Sequence, residues 1–306
     1  MMQQVCEDLF FIERGYLNGN HFVYRGAAPL LIDSGYLGDV ERTLQLIGKL
    51  GVDPMKVGLI VSTHCHCDHI GAHKRIQQLS GCDIALHEVG KAWVDAGDNL
   101  ATWSGYYHQE AEFFHATHSL ADGDPVTVGP HEFQVIHVPG HSADGIALYN
   151  RREKILISSD ILWEYGQAVL TERLEGSHAL KDWQESLERL ALLEVKKVYP
   201  GHGKPFADFT GAIARAQRNL AHYEKQRSAI GADLLKKITV YTLLMHKSFP
   251  SDRFFDHLLA SRWFAETVDA YELGDYKSAY GETMTSLQKR GTIYLEGGCW
   301  LTSVVP

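Results

Sequence analysis

Apolar and polar positions alternate in short blocks along the first two hundred residues. Short apolar runs bounded by turn residues predict strands at 9–13, 21–24, 29–33 and 57–61. Apolar residues at helical spacing predict a helix over 37–50, between the third and the fourth strand. Because the first strands are joined by short turns, we expect an antiparallel sheet region at the start of the chain.

The same alternation continues to about residue 200. It predicts a helix at about 70–79, an amphipathic helix over 180–193, and further strands at 84–87, 126–128, 132–138, 145–149, 154–158 and 197–199. Strands and helices that alternate in this way, with turns at each change, are typical of an α/β or α+β layered fold.

Residues 88–122 differ from this pattern because they are rich in aromatic side chains and histidine. We expect a mostly helical insert at about 88–122. Its aromatic residues either pack the insert against the sheet or line a substrate pocket or a dimer face. The sequence leaves these alternatives open.

The last third of the chain is predicted to be helical. Apolar faces predict helices around 234–245, 255–263 and 276–287, and a β-hairpin over 292–302 turns at Gly297 and Gly298. This order resembles a winged-helix unit. We therefore expect a catalytic domain over 1–210 and a helical C-terminal domain over 211–306, whose apolar cluster makes a homodimer a further prediction.

Composition and charge limit the classes of protein. The 306 residues are 45% hydrophobic and 22% charged, a balance typical of a soluble globular protein, and no long apolar run predicts a membrane span. A net charge of −9 disfavours nucleic acid as a partner. Five scattered cysteines and the absence of a signal-like start predict a cytoplasmic protein without a disulfide framework.

Four side chains of metal-ligand type follow the strand at 57–61. They form the motif His64-x-His66-x-Asp68-His69. Three imidazoles and a carboxylate suit zinc or another divalent metal of similar character. The C-terminal end of a buried strand is also where α/β sheets usually place an active site. The motif therefore predicts a metal site.

Three more such side chains each follow a predicted strand: His141, Asp160 and His202. Strand ends can deliver these side chains to one edge of a sheet, next to the His-rich motif. The four segments together therefore predict one site with seven ligands. A structural zinc site is usually a closed cage of four ligands, so seven ligands favour an enzyme with two metal ions over a structural metal domain.

These seven residues, in this order, resemble the metallo-β-lactamase superfamily, and Asp33 matches an early aspartate of that family. The resemblance covers about residues 5–210. It implies an αββα sandwich with the metal site at one edge of two mixed sheets. It also implies that one metal is bound by His64, His66 and His141, that the other is bound by Asp68, His69 and His202, and that Asp160 bridges them.

Two metal ions would hold a hydroxide that attacks an electrophilic carbonyl or phosphorus. Asp68 is expected to relay a proton in addition to binding metal, and Asp33 to hold the His64–His69 turn. Trp163, Tyr165 and His178 follow Asp160 on a predicted loop and are expected to contact the substrate.

The resemblance favours the glyoxalase II-like and lactonase-like branches, which implies a small-molecule thioester or lactone as substrate. A metal-dependent phosphodiesterase or ribonuclease is the first alternative, although an acidic catalytic region would repel a polyanion. Iron-dependent oxygen or persulfide chemistry is the second. Zinc is the favoured metal, with iron and manganese as alternatives.

Overall fold

The strands that the apolar runs predict assemble into two β-sheets. The computed structural model describes residues 1–306. The first sheet has the order β1-β2-β3-β4-β5-β6-β7; it is antiparallel from β1 to β4 and parallel from β4 to β7. Its strands are β1 Met2–Cys6, β2 Leu9–Ile12, β3 His21–Tyr24, β4 Leu30–Ile32, β5 Leu59–Val61, β6 Asp83–His87 and β7 His118–Leu120.

The second sheet has the order β12-β11-β10-β9-β8, and only β11 and β12 are parallel. Its strands are β8 Pro125–Val128, β9 His131–His137, β10 Ile146–Asn150, β11 Ile155–Ser159 and β12 Lys197–Pro200. Inward side chains of both sheets, among them Phe11, Phe22 and Phe133, form one buried cluster. Each such side chain contributes about 1.5–3 kcal/mol through burial, so the two sheets are held face to face.

Eight helices precede the C-terminal region, and the longer ones pack on the outer sides of the two sheets. The eight helices are α1 Val40–Lys49, α2 Cys67–Ile70, α3 His73–Ser80, α4 Glu88–Ala96, α5 Ser104–Tyr107, α6 Glu172–Glu175, α7 Ala179–Ala191 and α8 Phe209–Lys225. Ile47 and Ile76 pack α1 and α3 on the first sheet. Trp183 and Leu220 pack α7 and α8 on the second. The predicted αββα sandwich with two mixed sheets is therefore confirmed.

The C-terminal region is helical and ends in a small sheet. Its elements are α9 Ser228–His246, β13 Phe249–Pro250, α10 Ser251–Leu259, α11 Arg262–Tyr271, α12 Tyr276–Lys289, β14 Ile293–Glu296 and β15 Cys299–Thr302. The sheet order is β13-β15-β14, and β14 and β15 form the predicted hairpin. The winged-helix resemblance and the domain boundary at 210 stay predictions.

Two predictions about helices are wrong. The predicted helix over 255–263 is two helices, because Ser261 adopts an extended conformation between α10 and α11. The insert at 88–122 is not mostly helical: after α4 only the short α5 is helical, and the segment ends in β7, which pairs in parallel with β6. The aromatic residues Trp103, Tyr106 and Tyr107 pack in one core cluster with residues of the C-terminal helices.

Strand β1 was not predicted from the sequence. It lies at the sheet edge and none of its residues is buried, so it lacks an apolar pattern. Among the helices, none is both long enough and apolar enough to span a bilayer. The cytoplasmic location and the homodimer stay predictions.

Candidate metal centre

The seven predicted ligands converge at one edge of the sandwich because they follow strand ends that lie there. Strands β9 and β11 run in the same direction, since both are antiparallel to β10, and β12 is parallel to β11. Their C-terminal ends therefore meet at one edge. The segments that follow carry His141 after β9, Asp160 after β11, His202 after β12, and the His64–His69 motif after β5 of the facing sheet.

The ligand atoms form two groups, one of three and one of four residues. Within each group they all lie within 4.8 Å of one another, and the groups are His64, His66 and His141, and Asp68, His69, Asp160 and His202. Asp160 Oδ2 is 3.5 Å from His141 Nε2 in the first group. It is also 3.5 Å from His69 Nε2 in the second. This carboxylate oxygen therefore lies between the two groups.

Hydrogen bonds to fixed acceptors orient three of the rings. Each Nδ1 faces an oxygen that can only accept, so Nδ1 is the donor: His69 to Asp33 Oδ2 at 2.9 Å, His141 to the Val169 carbonyl at 2.8 Å, and His202 to the Gly15 carbonyl at 3.3 Å. The proton on Nδ1 leaves the lone pair on Nε2, which faces the centre. This is the arrangement by which proteins fix the tautomer of a metal-binding histidine.

Asp33 bonds to His69 and to Thr63, the residue before the His64–His69 turn, and its role in holding the turn stays a prediction. Its Oδ1 accepts from the Thr63 backbone N–H at 2.7 Å and its Oδ2 from the Thr63 hydroxyl at 2.7 Å, in addition to His69. Asp33 has a φ of 59°. A left-handed conformation costs a non-glycine residue about 1–2 kcal/mol, and these three hydrogen bonds offset that cost.

Asp160 is held by a neighbour and needs a glycine beside it. Trp163 Nε1 donates to Asp160 Oδ1 at 3.1 Å, so that Oδ2 is the oxygen left facing the histidines. A Cβ at Gly201 would lie 2.0 Å from Asp160 Oδ1. Any larger residue at position 201 would therefore displace the carboxylate from the centre.

The residues present fit a pair of metal ions. All seven are buried, and the Nε2 atoms of His64 and His69 have no hydrogen-bond partner. Buried polar atoms in native proteins are almost always paired, so these two ring nitrogens fit a role as ligands of a cation. Burial lowers the pKa of His64 and His66 well below the usual value, which keeps both rings neutral and able to bind metal. Nitrogen and oxygen donors of this kind suit zinc.

Neighbouring side chains keep the two aspartates ionised. Burial opposes the charge of Asp160, but His202 and His69 beside it hold the pKa of its carboxyl well below the usual range. Likewise, burial opposes the charge of Asp68, and His69 and His202 nevertheless lower its pKa to about 2. Both carboxylates are therefore ionised, and divalent cations would balance their buried charge.

Three residues near the centre were not predicted from the sequence. Tyr241 of α9 donates its hydroxyl proton to Asp68 Oδ2 at 3.1 Å. The Trp103 ring stacks on His66 with centroids 3.8 Å apart, and Glu175 Oε1 is 3.5 Å from His66 Nε2. Burial raises the pKa of Glu175 to about 8. No motif marks these residues; Tyr241 was identified only as part of an apolar helix face.

Other candidate residues lie apart from the ligands. Tyr165 is 70% exposed, and the His178 side chain is 64% exposed and faces Asp182. Neither lines the cavity at the metal centre, whereas Trp163 does. The substrate contacts of Trp163, Tyr165 and His178 all stay predictions. Cys65 and Cys67 are buried, and the Cys67 thiol donates to Gln109 at 2.7 Å instead of facing the ligands.

The cavity at the centre is small, and the C-terminal region forms part of its wall. Its volume is about 20 Å³, which is room for about one water molecule. Helix α9 contributes Lys237, Ile238 and Tyr241 to its wall. The C-terminal region therefore contributes side chains to the candidate site.

The fold and the site define a metal-binding αββα hydrolase. The sequence profile described as the metallo-beta-lactamase superfamily matches residues 15–202. The chain belongs to the metallo-β-lactamase superfamily.

Relatives and solved structures agree with this family. The chain is 30% identical over 227 residues to the acyl-coenzyme A thioesterase MBLAC2 of Gallus gallus, covering 65% of this chain and 78% of the relative. It is 30% identical over 148 residues to a hydroxyacylglutathione hydrolase of Rhizobium etli, covering 48% of each. The fold is similar to that of a metallo-beta-lactamase family protein from Thermus thermophilus, with a TM-score of 0.61 and 21% identity over 98% of this chain and all of that one.

Proposed function

We propose that this chain is a dinuclear metal-dependent thioester hydrolase. His64, His66 and His141 would hold one ion, Asp68, His69 and His202 the other, and Asp160 would bridge them. The observation that carries the proposal is the position of Asp160 Oδ2, at 3.5 Å from a ring nitrogen of each group. Two divalent ions, zinc being favoured, would supply a hydroxide nucleophile at neutral pH and polarise the substrate carbonyl.

The protein's own residues fix this chemistry in place. Trp163 turns the Asp160 carboxylate so that Oδ2 faces both groups. Asp33 sets the His69 tautomer. Asp68 Oδ2 accepts a hydrogen bond from the Tyr241 hydroxyl at 3.1 Å and also lies 3.1 Å from His202 Nε2. A proton taken up by Asp68 therefore has two polar neighbours along which to pass, which supports a proton-transfer role for Asp68.

The thioester bond is favoured on chemical grounds as well as by similarity. A thiolate with an ordinary pKa of about 8.5 is a good leaving group near neutral pH, so the site needs no strong acid to protonate it. The similarity to a protein named as an acyl-coenzyme A thioesterase supports the same class.

A substrate panel tests this function. Metal-loaded protein should release thiol from acetyl-coenzyme A or S-lactoylglutathione. The kcat/KM for this reaction should be at least ~100-fold above the kcat/KM for a lactone or for bis(4-nitrophenyl) phosphate. Faster cleavage of the phosphodiester would replace this proposal with the phosphodiesterase alternative. Faster cleavage of the lactone would keep the hydrolase and change its substrate class.

Tyr241 is a positioning residue that acts through Asp68. Tyr241→Phe removes the hydroxyl bonded to Asp68 Oδ2 and keeps the ring that packs on Tyr16, with centroids 4.9 Å apart. A hydrogen bond to a charged group is worth about 1.5–3 kcal/mol, so kcat should fall about tenfold or more, with KM and metal content unchanged. Tyr276→Phe removes a comparable Tyr–Asp hydrogen bond on α12 and serves as the matched control. An unchanged kcat in Tyr241→Phe would refute the role.

A further inference from the structure

A second, larger cavity adjoins the small one at the metal centre. Its volume is about 450 Å³, and it shares Tyr16, Trp163 and Lys237 with the inner cavity. We call it the outer groove; its wall also includes Tyr165, Gln167, Tyr223, Asp233 and Arg290. Because the inner cavity has room for about one water molecule, the bulk of any substrate must extend beyond it.

One residue in the wall of the outer groove has unfilled hydrogen-bonding capacity. Gln167 is 6% exposed, and neither its side-chain oxygen nor its side-chain nitrogen has a partner. A buried amide that pairs with nothing is destabilising, and in native proteins it calls for an explanation. A ligand that offers both a donor and an acceptor, as an amide group does, would satisfy it.

The charges of the outer groove leave one cation without a counter-ion. Lys237 pairs with Asp233, and the Tyr223 hydroxyl also donates to Asp233 at 2.8 Å. Arg290, at the end of α12, lines the groove, is exposed and makes no ion pair. The groove therefore carries one unbalanced positive charge, and an arginine of this kind suits a phosphate or a carboxylate.

The outer groove also presents an aromatic surface near its mouth. Tyr165 is 70% exposed, and the Arg215 guanidinium lies 4.9 Å from its ring centroid. Trp163, deeper in the groove, donates to Asp160 at the metal centre. A ligand in the groove thus lies beside a residue that touches a metal-ligand carboxylate, which connects the groove to the reacting bond.

We propose that the outer groove binds the thiol half of the substrate, an amide-containing thiol with an anionic end. Gln167 pairs with its amide and Arg290 with its anion, while the thioester carbon lies at the metal centre. This inference rests on the proposed thioester hydrolysis. Coenzyme A and glutathione both have this chemistry, and only coenzyme A has an aromatic base that could stack on Tyr165.

Calorimetric titration of the metal-loaded protein with S-methyl-coenzyme A and S-methylglutathione tests this proposal. The thioethers have no thiolate to bind metal, so they report on the groove. Gln167→Met, which keeps the volume and removes the amide, should weaken binding about tenfold, and Arg290→Met should do the same. Arg290→Lys should restore part of the loss, because it keeps the charge. Gln45→Met, at an exposed position of α1, is the control and should change nothing.

The two thioethers also distinguish the sources of the thiol. If coenzyme A is the natural partner, Tyr165→Leu should weaken the binding of S-methyl-coenzyme A and leave the binding of S-methylglutathione unchanged. Tighter binding of S-methylglutathione than of S-methyl-coenzyme A, with no effect of Tyr165→Leu, would identify glutathione. The proposal would be overturned if the wild type, Gln167→Met and Arg290→Met bound the thioethers with equal affinity. It would also be overturned if the wild type did not bind them at millimolar concentration.

Failure of the groove is distinguishable from failure of the function. If the protein cleaves thioesters and the KM is unchanged in Gln167→Met and Arg290→Met, the proposed function stands and the binding role of the outer groove is refuted. If Gln167→Met weakens the binding of the thioethers but the protein cleaves no thioester, the binding role of the outer groove stands and the proposed hydrolysis is refuted.

Discussion

Asp160→Ala should abolish hydrolysis and lower the metal content of the protein. Asp160 Oδ2 lies 3.5–3.6 Å from ring nitrogens of His69, His141 and His202, so the side chain faces both ligand groups. Its loss would remove a shared ligand and a buried negative charge that offsets the two ions. We expect kcat/KM to fall on the order of 10³-fold or more, measured by thiol release alongside elemental analysis.

Two further variants separate the charge of Asp160 from the shape of its side chain. Asp160→Asn keeps the shape and the Trp163 contact, and should lose nearly as much activity because a neutral amide is a poor metal ligand. Asp256→Asn, at an exposed position of α10, is the matched control and should keep both activity and metal. Full activity of Asp160→Asn with two bound ions would rule out a bridging role.

His202→Ala should lower the metal content from about two ions to about one. His202 belongs only to the second group, whereas His64, His66 and His141 form the first group without it. The remaining ligands of the second group are Asp68, His69 and Asp160, and the variant leaves a space where the imidazole stood. Activity should fall on the order of 10²-fold or more, because the pair of ions acts as a unit.

The reverse experiment checks the division of the ligands. His141→Ala should weaken the binding of the first ion and leave Asp68, His69 and His202 to bind the second. Metal titration of the two variants, with thermal unfolding to confirm that each is folded, should therefore give two different single-ion proteins. Loss of both ions in each variant, or of neither, would contradict the division into two groups.

The sequence singled out the seven candidate ligands because each is tied to a local feature. The four residues of the His64–His69 motif follow one buried strand, and His141, Asp160 and His202 each follow another. Parallel directions of β9, β11 and β12 then bring these ends to one edge. Asp33 was identified from the family resemblance and not from a local feature; it bonds to Thr63 and His69.

The surroundings of the ligands could not be predicted, because they depend on packing between distant segments. Tyr241 is 173 residues from Asp68 in sequence, and Glu175 is held by Trp103, 72 residues away. The apolar spacing of α9 fits a core helix equally well whether or not one of its side chains reaches the metal centre. The break at Ser261 was missed for a related reason: the apolar positions of α10 and α11 follow one another without a glycine or proline to mark the boundary.

The metal content of the purified chain tests the central claim most directly. Elemental analysis of protein produced without added metal should find about two divalent ions per chain, predominantly zinc, and removal of the metal with a chelator should abolish thioester cleavage until zinc is restored. One ion or none per chain after saturation with zinc would contradict a dinuclear hydrolase. Two bound iron ions per chain would instead favour oxygen or persulfide chemistry at the same seven residues.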